Sequence, residues 1–208
     1  MNKLCVVAFA MVVECVWAQC QYMEQLTNMV SALRRQRGTL DVSFTNQLSI
    51  CMEGETNEFH KANVAIVSAI SFADIAEAKL CGDVLLPRSI SICSNLLMSS
   101  ALPSDAWQKG AASIVLAGVY SFDGQYRLAR NAATNHLFQT EYGIDSEEDR
   151  ALWGAISSHL DVDGLSVYDA KRCYAALASI MDGAMCDVSS FTNGLPESVL
   201  AKIRDIAR

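Results

Sequence analysis

Proline is scarce in this sequence, with three residues among 208, and glycine is only somewhat more common, with eleven. Proteins made of many short β-strands need both residues at their turns, so this composition disfavours a β-sandwich or a β-barrel. Alanine, leucine, methionine and serine are abundant instead, and hydrophobic residues make up 51% of the chain. The composition therefore predicts an all-α protein with enough apolar residues for a sizeable core.

The sequence also lacks the short motifs of common enzyme classes. It has no Gly-x-Ser-x-Gly elbow, no His-Glu-x-x-His helix, no phosphate-binding glycine loop and no dinucleotide fingerprint. The acidic run Glu147–Asp149 stands at the start of a predicted helix, where carboxylates complement the positive end of the helix dipole. We therefore expect no enzymatic activity, no catalytic residues and no cofactor.

Metal-ligand patterns are missing as well. There is no Cys-x-x-Cys pair, and His60, His136 and His159 stand apart near predicted helix surfaces. The run Asp161–Gly164 is similar to part of a calcium loop, but an EF-hand register would need ligands at His159 and Ala170. These residues cannot serve as such ligands, so we expect a helix-ending turn here and no metal site.

Basic residues are outnumbered by acidic ones. The chain has 16 Lys and Arg against 23 Asp and Glu, which gives a net charge of −7. A chain of this sign is repelled by nucleic acid and by anionic membrane surfaces. We expect no nucleic-acid partner and no membrane partner for the mature chain.

The first eighteen residues have the organisation of a signal peptide. Lys3 is followed by a short apolar run, Leu4–Val13, and the small residue Ala18 precedes the predicted cleavage point. The apolar run is shorter than the roughly 20 residues that cross a membrane. We therefore expect a secreted, extracellular protein whose mature chain begins at Gln19. A lipid anchor on Cys20 is the alternative.

Removal of residues 1–18 leaves six cysteines, an even number that suits three disulfide bridges in an oxidising compartment. Many pairings are compatible with six cysteines, and the spacing alone does not choose among them. The predicted disulfide residues are Cys20, Cys51, Cys81, Cys93, Cys173 and Cys186.

Hydrophobic residues recur at helical spacing along most of the mature chain. The best break in this pattern is Ser121–Gln125, so we predict a disulfide-stapled helix bundle with a five-helix unit at 19–122 and a shorter helical unit at 123–208. The predicted helices are Tyr22–Arg35, Thr45–Glu53, Asn57–Leu80, Pro87–Ser100, one from Ser104, Leu128–Tyr142, one that begins at a capping box on Ser146, Ser166–Met185 and Pro196–Ile206.

Two segments of the chain, 78–103 and 170–196, contain the same short sequence motifs in the same order. Each begins with Ala-Lys-x-Cys, continues to a second cysteine and ends in Leu-Pro. A diverged partial repeat explains this order, and chance similarity between alanine-rich helical segments is the alternative. A repeat would pair equivalent cysteines, which are Cys81 with Cys93 and Cys173 with Cys186, and would leave Cys20 for Cys51.

The first half of the chain contains four further strings in a defined order, Phe44–Leu48, His60–Ala65, Ala69–Ala76 and Ser91–Val115. In this order they resemble the second to fifth helices of the N-terminal domain of spider silk proteins, the spidroins. The resemblance covers about residues 22–120, and a partial second copy of the pattern follows within 135–160.

The resemblance implies a five-helix bundle that stays soluble at storage pH and dimerises when acidic side chains take up protons. It also implies that Asp74, in the string Phe72–Ala76, is the pH-sensing residue. The string Leu48–Ile50 lacks the acidic pair that the family has at this place, and no repetitive silk region follows. The resemblance therefore indicates a small silk-gland companion protein and not a spidroin itself.

These observations predict a secreted, non-enzymatic, silk-associated structural or assembly protein. Its helical module would self-associate or bind silk or other extracellular matrix proteins. The alternative is an extracellular helical carrier of a small hydrophobic ligand. Five residues would line such a pocket, unless they pack in the core, and these are Met98, Met181, Met185, Trp107 and Trp153.

Overall fold

The computed structural model of this protein describes residues 22–35, 40–53, 55–79, 82–135, 142–184 and 188–206. The regular structure in these ranges is α-helical, apart from one isolated bridge between Ala106 and Gly143, so the all-α prediction is confirmed. None of these helices combines the length and the hydropathy that a membrane crossing requires. In chain order they are α1 (22–33), α2 (Val42–Glu53), α3 (Glu58–Lys79), α4 (Gly82–Met98), α5 (Trp107–Phe122), α6 (Tyr126–Thr134), α7 (Glu147–His159), α8 (Val167–Met181), α9 (Val188–Thr192) and α10 (Glu197–Ile206).

The helix predictions need correction at α4, α6 and α9. Helix α6 ends at Thr134 and not at Tyr142, because Asn135 leaves the helical conformation, and α9 was not predicted. Helix α4 begins at Gly82 and not at Pro87. Proline predicts a helix start because the N–H that it lacks is unpaired in the first turn anyway. In the structure Pro87 is exposed and lies in the second turn of α4. The missing hydrogen bond would have reached the carbonyl of Asp83, close to the helix start, so the helix tolerates this proline.

Serine side chains begin α7 and α8. The Oγ atom of Ser146 accepts a hydrogen bond from the N–H of Asp149 at 2.9 Å, as the predicted cap requires, and Ser166 caps α8 in the same way. Helix α8 ends at Met181, before the predicted end, because Gly183 adopts a φ of +74°. Glycine tolerates this left-handed conformation and commonly terminates helices.

Helix α5 occupies the centre of the molecule. Eleven of its sixteen residues are buried, and it packs against α3, α4, α6 and α8. Small residues, among them Gly110, Ala111 and Ala117, allow these neighbours to approach closely. At its start, Trp107 packs edge-to-face on Trp153 of α7, with ring centroids 6.3 Å apart. The burial of α5 therefore organises the bundle.

The largest apolar cluster extends along the chain from Tyr22 in α1 to Ile203 in α10. Helices α6 and α8, which follow the predicted break at Ser121–Gln125, both pack on α5, which precedes it. Helices on the two sides of the break thus share one core. The division into units at 19–122 and 123–208 stays a prediction.

Cys93 and Cys173 are buried free thiols. Burial raises the pKa of Cys93 to about 12 and is the main cause that raises the pKa of Cys173 to about 11. The disulfide-stapled part of the fold prediction therefore finds no support among the described side chains. The other four predicted disulfide residues, Cys20, Cys51, Cys81 and Cys186, have side chains outside the described part of the structure.

The close approach of α5 to α8 makes a testable prediction at Gly110. A Cβ atom there would overlap Cγ1 of Val167 and lie 3.1 Å from Cε1 of Tyr142, so Gly110→Ala should lower the free energy of unfolding by roughly 1–3 kcal/mol. Gly154 of α7 is the matched control, because it is exposed and an added Cβ meets nothing within 4 Å. Gly154→Ala should raise the free energy of unfolding by roughly 0.5–1 kcal/mol. Urea unfolding followed by circular dichroism measures both, and equal effects would contradict the packing.

Candidate functional site

Asp74 and His159 form a buried pair between α3 and α7. Asp74 lies in the last part of α3, and His159 is the last residue of α7. The Nε2 atom of His159 is 3.6 Å from Oδ1 of Asp74. Only 5% of Asp74 and 6% of His159 is exposed. The fold thus removes two titratable groups from water and places them side by side.

The carbonyl of Leu33, at the end of α1, determines which nitrogen of His159 carries a hydrogen. Nδ1 lies 3.0 Å from this carbonyl oxygen, which can only accept, so Nδ1 donates. A neutral imidazole with its hydrogen on Nδ1 presents a lone pair at Nε2, towards the Asp74 carboxylate. The contacts of His159 with the Leu33 carbonyl and with the Asp74 carboxylate join α1, α3 and α7.

Asp74 is the residue that was predicted to sense pH. It is not exposed on a helix face, where a protonated carboxyl could touch a second molecule directly, so its charge acts on His159 inside the bundle. Its role in pH sensing stays a prediction. The sequence placed His159 near a helix surface, whereas the structure buries it. Its spacing from Leu152 and Ile156, which lie on the buried face of α7, was the signal that could have revealed this.

A cavity of about 240 Å³ adjoins the pair and lies among α3, α4, α5, α7 and α8. Two of the residues that line it, Glu77 and Phe122, are exposed, so the cavity reaches solvent. We call this cavity the Asp74–His159 pocket. Most of its wall is apolar, and this part includes Ile70, Leu86, Val115, Val119, Phe122 and Leu160.

The polar groups of the pocket are few, and the basic side chain among the described ones is that of His159. They are two carboxylates, one imidazole and two hydroxyls, and none of the described lining residues is Lys or Arg. Tyr174 donates its hydroxyl hydrogen to the carbonyl of Leu160 at 3.3 Å, which ties α8 to the end of α7. An apolar concave surface with a few polar groups is typical of a small-molecule site. The polar groups are Asp74, Glu77, Ser121, His159 and Tyr174.

Of the five residues that would line an apolar pocket unless they packed in the core, the four that the structure describes do not line the Asp74–His159 pocket. Trp107 and Trp153 are buried in the core against each other, as the alternative of core packing required. Met98 is 84% exposed, near the end of α4, and Met181 is exposed at the last position of α8. Met185 lies outside the described residues. Core packing thus holds for the two tryptophans, whereas Met98 and Met181 lie exposed at the last positions of α4 and α8.

A second polar group of residues surrounds Tyr22 at the start of α1. The ring of His60 stacks on that of Tyr22 with centroids 3.5 Å apart, and Nδ1 of His60 lies 3.2 Å from Oε2 of Glu55. Asn63 donates from Nδ2 to the Tyr22 hydroxyl at 2.7 Å and to Oδ1 of Asp149 at 3.0 Å. Burial is the largest cause that raises the pKa of Tyr22 to about 12. This network joins α1, α3 and α7 at the end opposite to the C-terminus of α7.

Lys171 of α8 is 1% exposed, and burial lowers the pKa of its amine to about 8. Its Nζ donates to the hydroxyl of Tyr142 at 2.9 Å and to the carbonyl of Asn135, the residue that caps α6. Catalytic lysines also have a lowered pKa. However, Lys171 does not line the Asp74–His159 pocket. We therefore interpret Lys171 as a structural residue, whose hydrogen bond to the Asn135 carbonyl holds the C-terminal end of α6 against α8.

Metal ligands do not cluster in the part of the chain that the structure describes, where no group of three His, Cys, Asp or Glu side chains could hold an ion. Comparison of the chain with protein-family models, with curated proteins and with solved structures finds no match.

The buried pair predicts a large loss of stability when Asp74 is truncated. Asp74→Ala leaves His159 facing a void and should lower the free energy of unfolding by roughly 3–5 kcal/mol, as for other buried pairs that lose one member. Asp74→Asn should cost less, because the amide can donate to Nε2 of a neutral imidazole. Glu58→Ala is the control: it breaks an exposed pair with Lys61 of the same helix and should cost under about 1 kcal/mol. Urea unfolding at pH 7 ranks the three, and similar losses for all would contradict the role of the pair.

The lowered pKa of Lys171 predicts that this residue makes the folded state more stable as the pH rises above 8. Between pH 8 and pH 10 the folded protein releases this proton while the unfolded chain keeps it, so the unfolded state binds more protons and stability rises with pH. The free energy of unfolding of the wild type, minus that of Lys171→Met, should increase by about 2 kcal/mol over this range. Subtracting the two free energies removes the contribution of the buried thiols, whose raised pKa values make stability fall as the pH rises. Lys61→Met is the control, because the Lys61 side chain is 35% exposed, and its difference should change less over this range. A constant difference for Lys171→Met would contradict the burial of its amine.

Proposed function

We propose that this protein is a secreted, non-enzymatic carrier that binds a small apolar molecule in the Asp74–His159 pocket. The observation that carries this proposal is the cavity of about 240 Å³ with an apolar wall and a few polar groups. Binding sites in helical bundles lie between facing helices and have this composition. The volume is slightly below the range of about 300–1,000 Å³ that suits drug-sized ligands. A smaller molecule therefore fits, and the signal-like segment at 1–18 supports export of the carrier.

The chemistry around the pocket favours binding over catalysis. Both ring nitrogens of His159 face groups of the protein itself, the Leu33 carbonyl and the Asp74 carboxylate. A histidine that activates a nucleophile needs a nitrogen directed at a hydroxyl or a thiol. Cys93 and Cys173 do not line the pocket, and their raised pKa values keep them in the unreactive thiol form at neutral pH.

A second candidate function is self-association, as expected for a silk or extracellular matrix component. It is favoured by apolar side chains on the surface near the ends of α2 and α4, where Ile50 is 69% exposed and Met98 84% exposed. A shallow groove of about 340 Å³ lies among α2, α3 and α4 and contains Phe72, Ile92 and Leu96. Such apolar surface is typical of contacts between protein molecules. Protonation of Asp74 would act on this surface only through the position of α3, because Asp74 itself is buried.

The carrier proposal predicts that filling the pocket abolishes binding. Gly118 lies in its wall, where an added Cβ would be 3.5 Å from Cε1 of Tyr174, an ordinary contact. Gly118→Leu should project a side chain into the cavity and weaken the affinity for 1-octanol at least tenfold in isothermal titration calorimetry. Gly118→Ala is the matched control and should fold and retain binding, since its methyl group fits.

Failure of the mature wild-type protein to bind octanol would reject the carrier. Light scattering on the same samples at pH 7.5 and pH 5.5 separates the two candidates. A monomer at both values, with binding that Gly118→Leu removes, supports the carrier. A dimer that forms only at pH 5.5, with no octanol binding, supports acid-driven assembly.

A further inference from the structure

The polar part of the Asp74–His159 pocket has a charge pattern that bears on which ligands it accepts. Asp74 and Glu77 lie three residues apart on α3, so they share one face of that helix, and both line the pocket. Asp74 is buried, whereas Glu77 is exposed at the rim. No described lining residue is Lys or Arg. A ligand that enters the pocket therefore meets two carboxylates and, as the one candidate cation of its lining, His159.

His159 is not available to neutralise an anionic ligand. Its Nδ1 hydrogen is directed at the Leu33 carbonyl, 3.0 Å away, and its Nε2 faces Asp74. Any positive charge on the ring is therefore matched by the Asp74 carboxylate beside it. The pair as a whole offers no net positive charge, and Glu77 adds a negative one at the entrance.

We propose that the pocket selects apolar molecules that end in a hydrogen-bond donor, an alcohol or an amine, and excludes those that end in a carboxylate. This inference rests on the proposed carrier function and adds its ligand class. A donor head can give its hydrogen to a carboxylate oxygen at the polar part while its chain contacts Ile70, Val115 and Val119. A carboxylate head would lose its water without gaining a cation, which is unfavourable in a largely apolar cavity. Asp74 is thus the specificity-determining residue.

The test uses three molecules with the same eight-carbon chain and different heads: 1-octanol, octylamine and octanoate. Each is titrated into the mature wild-type protein at pH 7.5 by isothermal titration calorimetry. Octanol and octylamine should bind, and octanoate should bind at least tenfold more weakly. Because the apolar chain is identical, the ratio of the affinities reports the head group alone.

The variant Asp74→Asn tests whether the buried carboxylate causes the preference for octanol over octanoate. It keeps the shape of the side chain and removes its charge, so the octanol-to-octanoate affinity ratio should fall towards one. Glu58→Gln is the matched control: it removes an exposed carboxylate from the same helix outside this pocket and should leave the ratio unchanged. If Asp74→Asn does not fold, Glu77→Gln replaces it, and the ratio should fall at least threefold because the rim charge is lost.

The outcomes separate the inference from the function on which it rests. Binding of none of the three molecules rejects the carrier itself. Equal binding of all three, or a preference for octanoate, leaves the carrier intact and overturns the proposed ligand class. A ratio in folded Asp74→Asn that equals that of the wild type also overturns it, as does an unchanged ratio in Glu77→Gln where that variant has to be used instead.

Discussion

Burial of α5 on most of its surface is the constraint on which the other contacts of this bundle depend. Eleven of the sixteen residues of α5 are buried, and a single helix cannot shield so many side chains from water. Helices α3, α4, α6 and α8 therefore each cover part of its surface. Glycine and alanine on α5 make this coverage close, and the two tryptophans fill the space at its start. The hydrophobic effect thus determines which helix is central, while small side chains determine how near its neighbours lie.

Polar groups in the interior then connect helices that are distant in sequence. The contact between His159 and the Leu33 carbonyl joins α7 to α1, the one with Asp74 joins α7 to α3, and Lys171 joins α8 to the end of α6. Buried polar groups cost free energy unless they find partners, so each of them disfavours arrangements in which its partner is elsewhere. In this protein they act at helix ends, where backbone carbonyls are available.

The pocket arises from the same geometry. The last turns of α3, α5 and α7 end near one another, and between them lies a cavity whose apolar wall consists mainly of branched aliphatic residues and the rings of Phe122 and Tyr174. The buried pair forms one part of its wall, so the group that joins three helices is also the group that a ligand would meet. If the protein is the proposed carrier, the contacts that stabilise the bundle and the ligand preference would involve the same buried pair.

Local patterns in the sequence were sufficient for most of the helices and for the serine cap of α7, because helix formation depends on residues within a few positions of each other. They failed at the start of α4, where proline was taken as a first-turn residue, and at the end of α6. Hydrophobicity also did not reveal that Met98 and Met181 lie exposed at helix ends. The resemblance to spidroins singled out Asp74 within the string Phe72–Ala76. Its partner His159, eighty-five positions further along the chain, could not be assigned to it. The sequence by itself determined that the chain is helical and rich in core residues. Only the tertiary structure decided that Asp74, His159 and the Leu33 carbonyl meet beside a cavity, because that meeting depends on how α1, α3 and α7 pack and not on any spacing along one helix.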